Sequence, residues 1–147
     1  MAEAAPATES LTLERVLTAP PERVYAAWTE PEHASQWFSP SEDYEAEAEI
    51  DARVGGRYRI VMRHRASGAE HTAVGEYREL EPGRRIVCTW SWEQESGPET
   101  LLTVELEAHG DGTLLRLTHA RFPDAATCEK HRQGWTGCLG RLERALA

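Results

Sequence analysis

The sequence predicts an α+β domain: a curved antiparallel sheet wrapped around one long C-terminal helix, with two short helices after the first strand. Three observations predict it. From residue 44 to residue 119, short segments of alternating apolar residues follow one another, separated by tight-turn signals. Strands joined that way form an antiparallel meander. After residue 124 the apolar period lengthens from two to three and four, the mark of an amphipathic helix. That helix carries the one long apolar stripe able to cover the sheet, so the sheet has to curl around it and enclose an apolar cavity.

The elements follow in order. The first ten residues, MAEAAPATES, are small and polar and are expected to form a disordered tail. Residues 11–147 then make a single domain, with no internal repeat and no linker. Leu11, Leu13 and Leu17 share one side of a first strand, which Pro20 and Pro21 stop. Glu22 to Trp28 is a short helix with Pro21 in its first turn, and Pro31 to Trp37 is a second. Tyr44 to Asp51 is a strand whose Glu45, Glu47 and Glu49 form a solvated face.

Gly55-Gly56 is a turn that needs positive φ, and Asp51 and Arg53 pair across it. No helix and no Gly-Lys-Ser/Thr follows, so it is no phosphate loop. Strands follow over Arg57 to Arg65, Thr72 to Leu80, Arg84 to Glu93, Thr100 to Ala108 and Thr113 to His119. Their inward faces hold Tyr58, Ile60 and Met62; Ile86, Cys88, Trp90 and Trp92; Leu102, Val104 and Leu106; and Leu115, Leu117 and His119. The last helix runs from about Ala125 to Leu146, with Asp124 as N-cap. Its stripe is Cys128, His131, Trp135, Cys138, Leu139, Leu142 and Leu146.

Composition narrows the function. At 147 residues the chain makes one domain that can bury roughly 70% of its unfolded surface, enough for a core and a modest cavity. Acidic residues outnumber basic ones 25 to 16, a net charge of −9 that repels phosphate backbones and argues against nucleic acid as a partner. Arg supplies every basic residue except Lys130, a bias of genome composition rather than function. Cys88, Cys128 and Cys138 form no CxxC pair. Ten residues of helix put about 15 Å of rise between Cys128 and Cys138, too far for a disulfide. Reduced thiols, a start without signal-peptide features and the lack of any apolar run near ~18 residues lead us to expect a cytoplasmic protein with no membrane association.

Several segments, taken in order, resemble a known family. Arg15-Val16-Leu17-Thr18-Ala19-Pro20 leads into Val24-Tyr25-Ala26-Ala27-Trp28-Thr29-Glu30-Pro31, and Gln36-Trp37-Phe38-Ser39-Pro40 follows. Asp51-Ala52-Arg53-Val54-Gly55-Gly56, Thr89-Trp90, Gly112-Thr113 with Leu115, His119 and Gly134-Trp135 continue the pattern. From Leu11 to Leu146 the chain resembles the activator of heat-shock protein 90 ATPase homologue-like group of the SRPBCC (START-like, helix-grip) superfamily. The resemblance implies a helix-grip fold with its cavity between sheet and helix. It implies function weakly, because the superfamily includes ligand carriers, lipid binders, cyclases, hydrolases and a co-chaperone domain. The eukaryotic co-chaperone also carries a separate N-terminal domain not found in these 147 residues, so chaperone activation is not expected.

The aromatic residues are the main candidates for a ligand site. Trp28, Trp37 and Phe38 belong to the short helices that close one end; Tyr58, Trp90 and Trp92 face inward from strands; Trp135 lies on the helix stripe. With Ile60, Met62 and His119 they are the expected lining. Rigid rings with polar tips suit an apolar ligand pocket, and they serve equally well as core filling. His119 could hydrogen-bond a ligand or move a proton, or be a core histidine held by a backbone carbonyl. Cys128 and His131 share a helix face, but two ligands are too few for zinc. No nucleophile, metal site or cofactor is expected. The reading is a domain that binds a small hydrophobic or aromatic ligand, with a homodimer left open. Its alternatives are a cyclase- or hydrolase-like enzyme using His119, and a chaperone-interacting module. Mainly His119 and Tyr58 supply titratable groups to the inward set, which favours binding.

Overall fold

The computed structural model describes residues 9–95 and 99–147. Strand β1 (Glu9–Leu17) already includes Glu9 and Ser10, two residues earlier than expected, and the rest of the expected tail lies outside the described residues. Pro21 and Pro31 occupy the first turns of α1 (Pro21–Thr29) and α2 (Pro31–Trp37), where their missing N–H groups cost nothing. Strands β2 (Tyr44–Ile50), β3 (Arg57–His64), β4 (Glu70–Glu81), β5 (Arg85–Trp92), β6 (Thr100–His109) and β7 (Gly112–Phe122) follow, and then α3 (Ala125–Ala145).

Among the described residues the strands make one seven-stranded antiparallel sheet in the order β1-β7-β6-β5-β4-β3-β2. Consecutive strands from β2 to β7 are neighbours, the meander that the turn spacing predicts. The first strand closes the far edge against β7, so α1 and α2 carry the chain across the open end of the sheet from one edge to the other. The sheet curls into a half-barrel around α3, the helix-grip architecture. Asp124 caps α3 by accepting the Thr127 N–H at 2.7 Å, and this bond holds its carboxyl below the ordinary carboxylate value.

Local chemistry explains the tight places. Gly55 has φ of 86°, and a side chain at Gly56 would collide with the Asp51 carbonyl. The expected pair across that turn is present, with Arg53 Nε donating to Asp51 Oδ2 at 2.8 Å. Period-two counting stops at His119, yet β7 runs on to Phe122, and both residues are fully buried. An extra residue in β7 opposite the Glu9–Leu11 step breaks the parity, and Arg121 takes φ of 72° there. The bulge turns two residues three apart onto the same face.

On the outer face, Glu45 pairs with Arg63 at 3.2 Å, and Glu93 takes a two-pronged bond from Arg59 at 2.8 and 2.9 Å. These exposed pairs contribute little individually, and they keep the outer surface polar.

Helix α3 buries Cys128, Trp135, Cys138, Leu139 and Leu142, as its stripe predicts. Gly137 allows it to pass directly over the Pro40 carbonyl, where any Cβ would clash with backbone. We expect Gly137→Ala to destabilise the fold by about 1–3 kcal/mol, the range for forced overpacking, despite alanine's better helix propensity. An unchanged denaturant midpoint would show that helix and loop are free to separate.

Candidate functional site

The space between sheet and helix divides in two. The deep part is nearly filled by rings. Trp37 donates its indole N–H to the Ala27 carbonyl at 3.0 Å and so ties α2 to α1. Trp28 meets the Trp37 ring edge-on at 4.7 Å and the Phe38 ring edge-on at 5.7 Å. What remains is a void of about 20 Å³, bordered by Trp28, Phe38, Tyr58, Ile60, Cys88 and Trp90 among others. The expected enclosed cavity is therefore too small for a ligand.

Outside it lies an open groove of about 720 Å³, between the ends of β3, β4 and β5 and the middle of α3. Trp90 and Trp92 from β5, Met62 from β3, Trp135 and Cys138 from α3, and Phe38 from just after α2 form its apolar wall. Tyr44, His71, Glu95, Lys130 and His131 stand around it. A second depression of similar volume, about 730 Å³, lies around the Arg59–Glu93 pair; Tyr58 and Trp92 border it, but most of its lining is charged, with Glu49, Asp51, Arg57, Arg59, Glu93 and Glu95.

Half of the expected lining therefore comes together in the groove: Phe38, Met62, Trp90, Trp92 and Trp135. The packed rings of Trp28, Trp37 and Phe38 leave Trp28, Tyr58 and Ile60 on the small void rather than in the groove, and Tyr58 also borders the second depression. Trp37 and His119 line neither. The Tyr58 hydroxyl donates to the Thr89 carbonyl at 2.5 Å, and burial raises its pKa well above the ordinary value. It is a structural hydroxyl rather than a titrating one.

His119 is fully buried and both its ring nitrogens are engaged by the protein. Trp135 Nε1–H donates to Nδ1 at 3.0 Å, so the ring proton is on Nε2, which donates to Thr100 Oγ1 at 2.6 Å. The Thr100 hydroxyl passes its own proton to the Trp90 carbonyl at 2.9 Å. Burial first, and then the neighbouring His131, push the imidazole pKa down to about 2. His119 is neutral at any ordinary pH and holds Trp135 and Trp90 in place. Its two bonds leave neither ring nitrogen free for a further partner.

His131 repeats the device one layer out. Its Nε2 accepts the Trp92 N–H at 3.1 Å, and its Nδ1–H donates to the Thr127 carbonyl at 2.9 Å. Burial lowers its pKa. The two imidazoles lie 5.3 Å apart, each within 5 Å of the Phe122 ring. Both indole N–H groups thus turn back into the protein, so Trp92 and Trp135 offer the groove carbon rather than a donor. Trp90 stands between them, 5.5 Å from Trp92 and 5.1 Å from Trp135.

Reading the sequence alone missed His131 as a tryptophan anchor. Its place four residues before Trp135 on the stripe was visible, but its partner Trp92 is 39 residues away. It also missed Arg141, whose guanidinium donates to Ser39 Oγ and to the Ser41 carbonyl at 3.3 Å. That clamp fixes the loop after α2, and with it Phe38 and Pro40.

The family model for Activator of Hsp90 ATPase homolog 1-like protein matches residues 18–147. The chain belongs to that family. A solved structure of an AHSA1 protein from Silicibacter pomeroyi superposes with a TM-score of 0.83 at 26% identity, over 94% of this chain and 97% of the other. A protein of Chromobacterium violaceum is 36% identical with a TM-score of 0.85, over 93% of this chain and 96% of that one. No curated protein matches the chain. The AHSA1-like fold thus extends over nearly the whole sequence, as the resemblance implies.

Proposed function

We propose that this AHSA1-like domain binds a small, flat apolar or aromatic molecule in the groove between β5 and α3. One observation carries the reading: a groove of about 720 Å³ is walled by Trp90, Trp92 and Trp135, and two of these indoles have their N–H groups tied back to histidines, Trp135 to the buried His119 and Trp92 to the part-buried His131. Its volume falls in the range of about 300–1,000 Å³ common to small-molecule sites. Locked rings lose little freedom when a planar ligand stacks against them.

Catalysis finds less support in the same geometry. The imidazoles of His119 and His131 have both nitrogens occupied. Cys138 lines the groove, but burial pushes its thiol up to about 12, so it is no nucleophile near neutral pH. A chaperone-directed role rests on the family description alone.

Gly134 provides the test. It lines the groove from α3, and a Cβ built there meets nothing within 4 Å. Gly134→Ala should keep or slightly raise stability, since alanine is the better helix former by about 0.8–1 kcal/mol. Gly134→Trp should fold equally well, fill the groove and lower affinity for naphthalene at least about 10-fold, a loss of about 1.4 kcal/mol. If the wild type does not bind naphthalene, or the filled variant binds it equally well, the groove is not the site.

A further inference from the structure

Two buried indole N–H groups, those of Trp28 and Trp90, have no hydrogen-bond partner among the described residues. Both side chains are deeply buried, at 5% and 4% exposure, so neither donor is satisfied by bulk water. Leaving such a group unpaired is costly, which makes each orphan a mark of something that binds there. The two are not scattered. Both rings border the same void of about 20 Å³, and Phe38 and Trp90 border the void and the groove alike. These two rings lie near-parallel, with centroids 6.1 Å apart, and form a wall common to the two spaces.

We propose that the void is the polar end of the groove, a subsite for a single uncharged acceptor oxygen. This inference rests on the groove reading above, and it narrows the ligand class to flat apolar molecules bearing a neutral carbonyl. Size sets the first limit: about 20 Å³ holds one oxygen-sized atom, since a water needs roughly 10–15 Å³. Donor chemistry sets the second. An oxygen with two lone pairs can accept from both indoles, whereas a second donor could not be served by either. Charge sets the third. Among the described residues no cationic side chain borders the void, and the Cys88 thiol beside it is kept neutral, its pKa pushed up to about 12 by burial. A carboxylate would enter without a counter-charge, which is strongly disfavoured. A ketone oxygen meets all three limits.

The experiment uses two probes that differ in one atom group, 2-acetylnaphthalene and 2-isopropenylnaphthalene, with 2-naphthoate as the charged control. Titration calorimetry on the full chain should show the ketone binding about 10-fold tighter than the alkene, the gain of one to two neutral hydrogen bonds. The carboxylate should bind more weakly than the ketone. Trp28 borders the void and not the groove, so Trp28→Phe should shrink the ketone preference to about threefold or less, one donor being lost. Trp90→Phe should shrink it likewise. Equal affinities of ketone and alkene for the wild type overturn the subsite and leave a void that holds resident water only, whether or not either variant folds. If neither probe binds, the groove reading itself fails and the subsite with it. If both bind equally, only the subsite fails.

Discussion

Trp135→Ala is expected to lower stability by about 3–5 kcal/mol, the range for deleting a large buried aromatic side chain. Trp135 is almost fully buried at the point where α3 meets the sheet. Its ring contacts those of Trp28, Phe38 and Trp90, at centroid distances of 6.0, 5.6 and 5.1 Å. The substitution removes that packing and strips His119 Nδ1 of its donor. Trp135→Phe separates the two effects. It keeps an aromatic ring, loses the N–H, and should cost about 1–3 kcal/mol for the acceptor left unsatisfied. Chemical denaturation followed by circular dichroism measures both. An unchanged midpoint for the alanine variant would place the helix in a different rotation from the one described.

Acid should destabilise the domain well before its carboxylates titrate. In the unfolded chain His119 has the ordinary pKa of about 6.5. In the folded protein burial and the neighbouring His131 hold it near 2. Between those values the unfolded chain binds a proton that the folded one does not, so stability rises with pH across the window. The contribution is complete above about pH 6.5 and falls by about 1.4 kcal/mol per pH unit below it. His131, also lowered by burial, adds in the same direction. Glu93 and Asp124 have lowered pKa values too, but they matter only below the ordinary carboxylate range of about 4–4.5. Unfolding free energies between about pH 6.5 and 5 therefore isolate the histidines. His119→Gln should flatten that slope by about 1.4 kcal/mol per unit. Parallel slopes for the variant and the wild type would mean that His119 is protonated in the fold.

Much of this architecture was legible because strand faces and helix stripes obey simple periods. Alternation placed Tyr58, Ile60 and Met62 inward on β3, and Leu115, Leu117 and His119 inward on β7, and all six are buried. Three- and four-residue spacing picked out the buried face of α3. Parity fails where a bulge intervenes, which is why Phe122 escaped notice although it packs against both histidines. Depth is the other quantity that periodicity lacks. Counting turned Tyr58 and Trp90 to the same side of the sheet, but it does not say that Trp90 reaches the groove while Tyr58 stops at the void. Pairings such as Trp92 with His131 depend on the curl of the whole sheet and have no local signature.

The most direct test of the groove as a ligand site uses the five tryptophans as built-in reporters. Each indole N–H gives its own cross-peak in a ¹⁵N–¹H correlation spectrum. On titration with naphthalene, the cross-peaks of Trp90, Trp92 and Trp135 should shift saturably, because their rings wall the groove. That of Trp37, bonded to the Ala27 carbonyl and lining neither space, should stay in place. Saturable shifts confined to the three groove indoles are the predicted result. A spectrum that does not change, or one in which Trp37 moves as far as Trp90, would contradict the account.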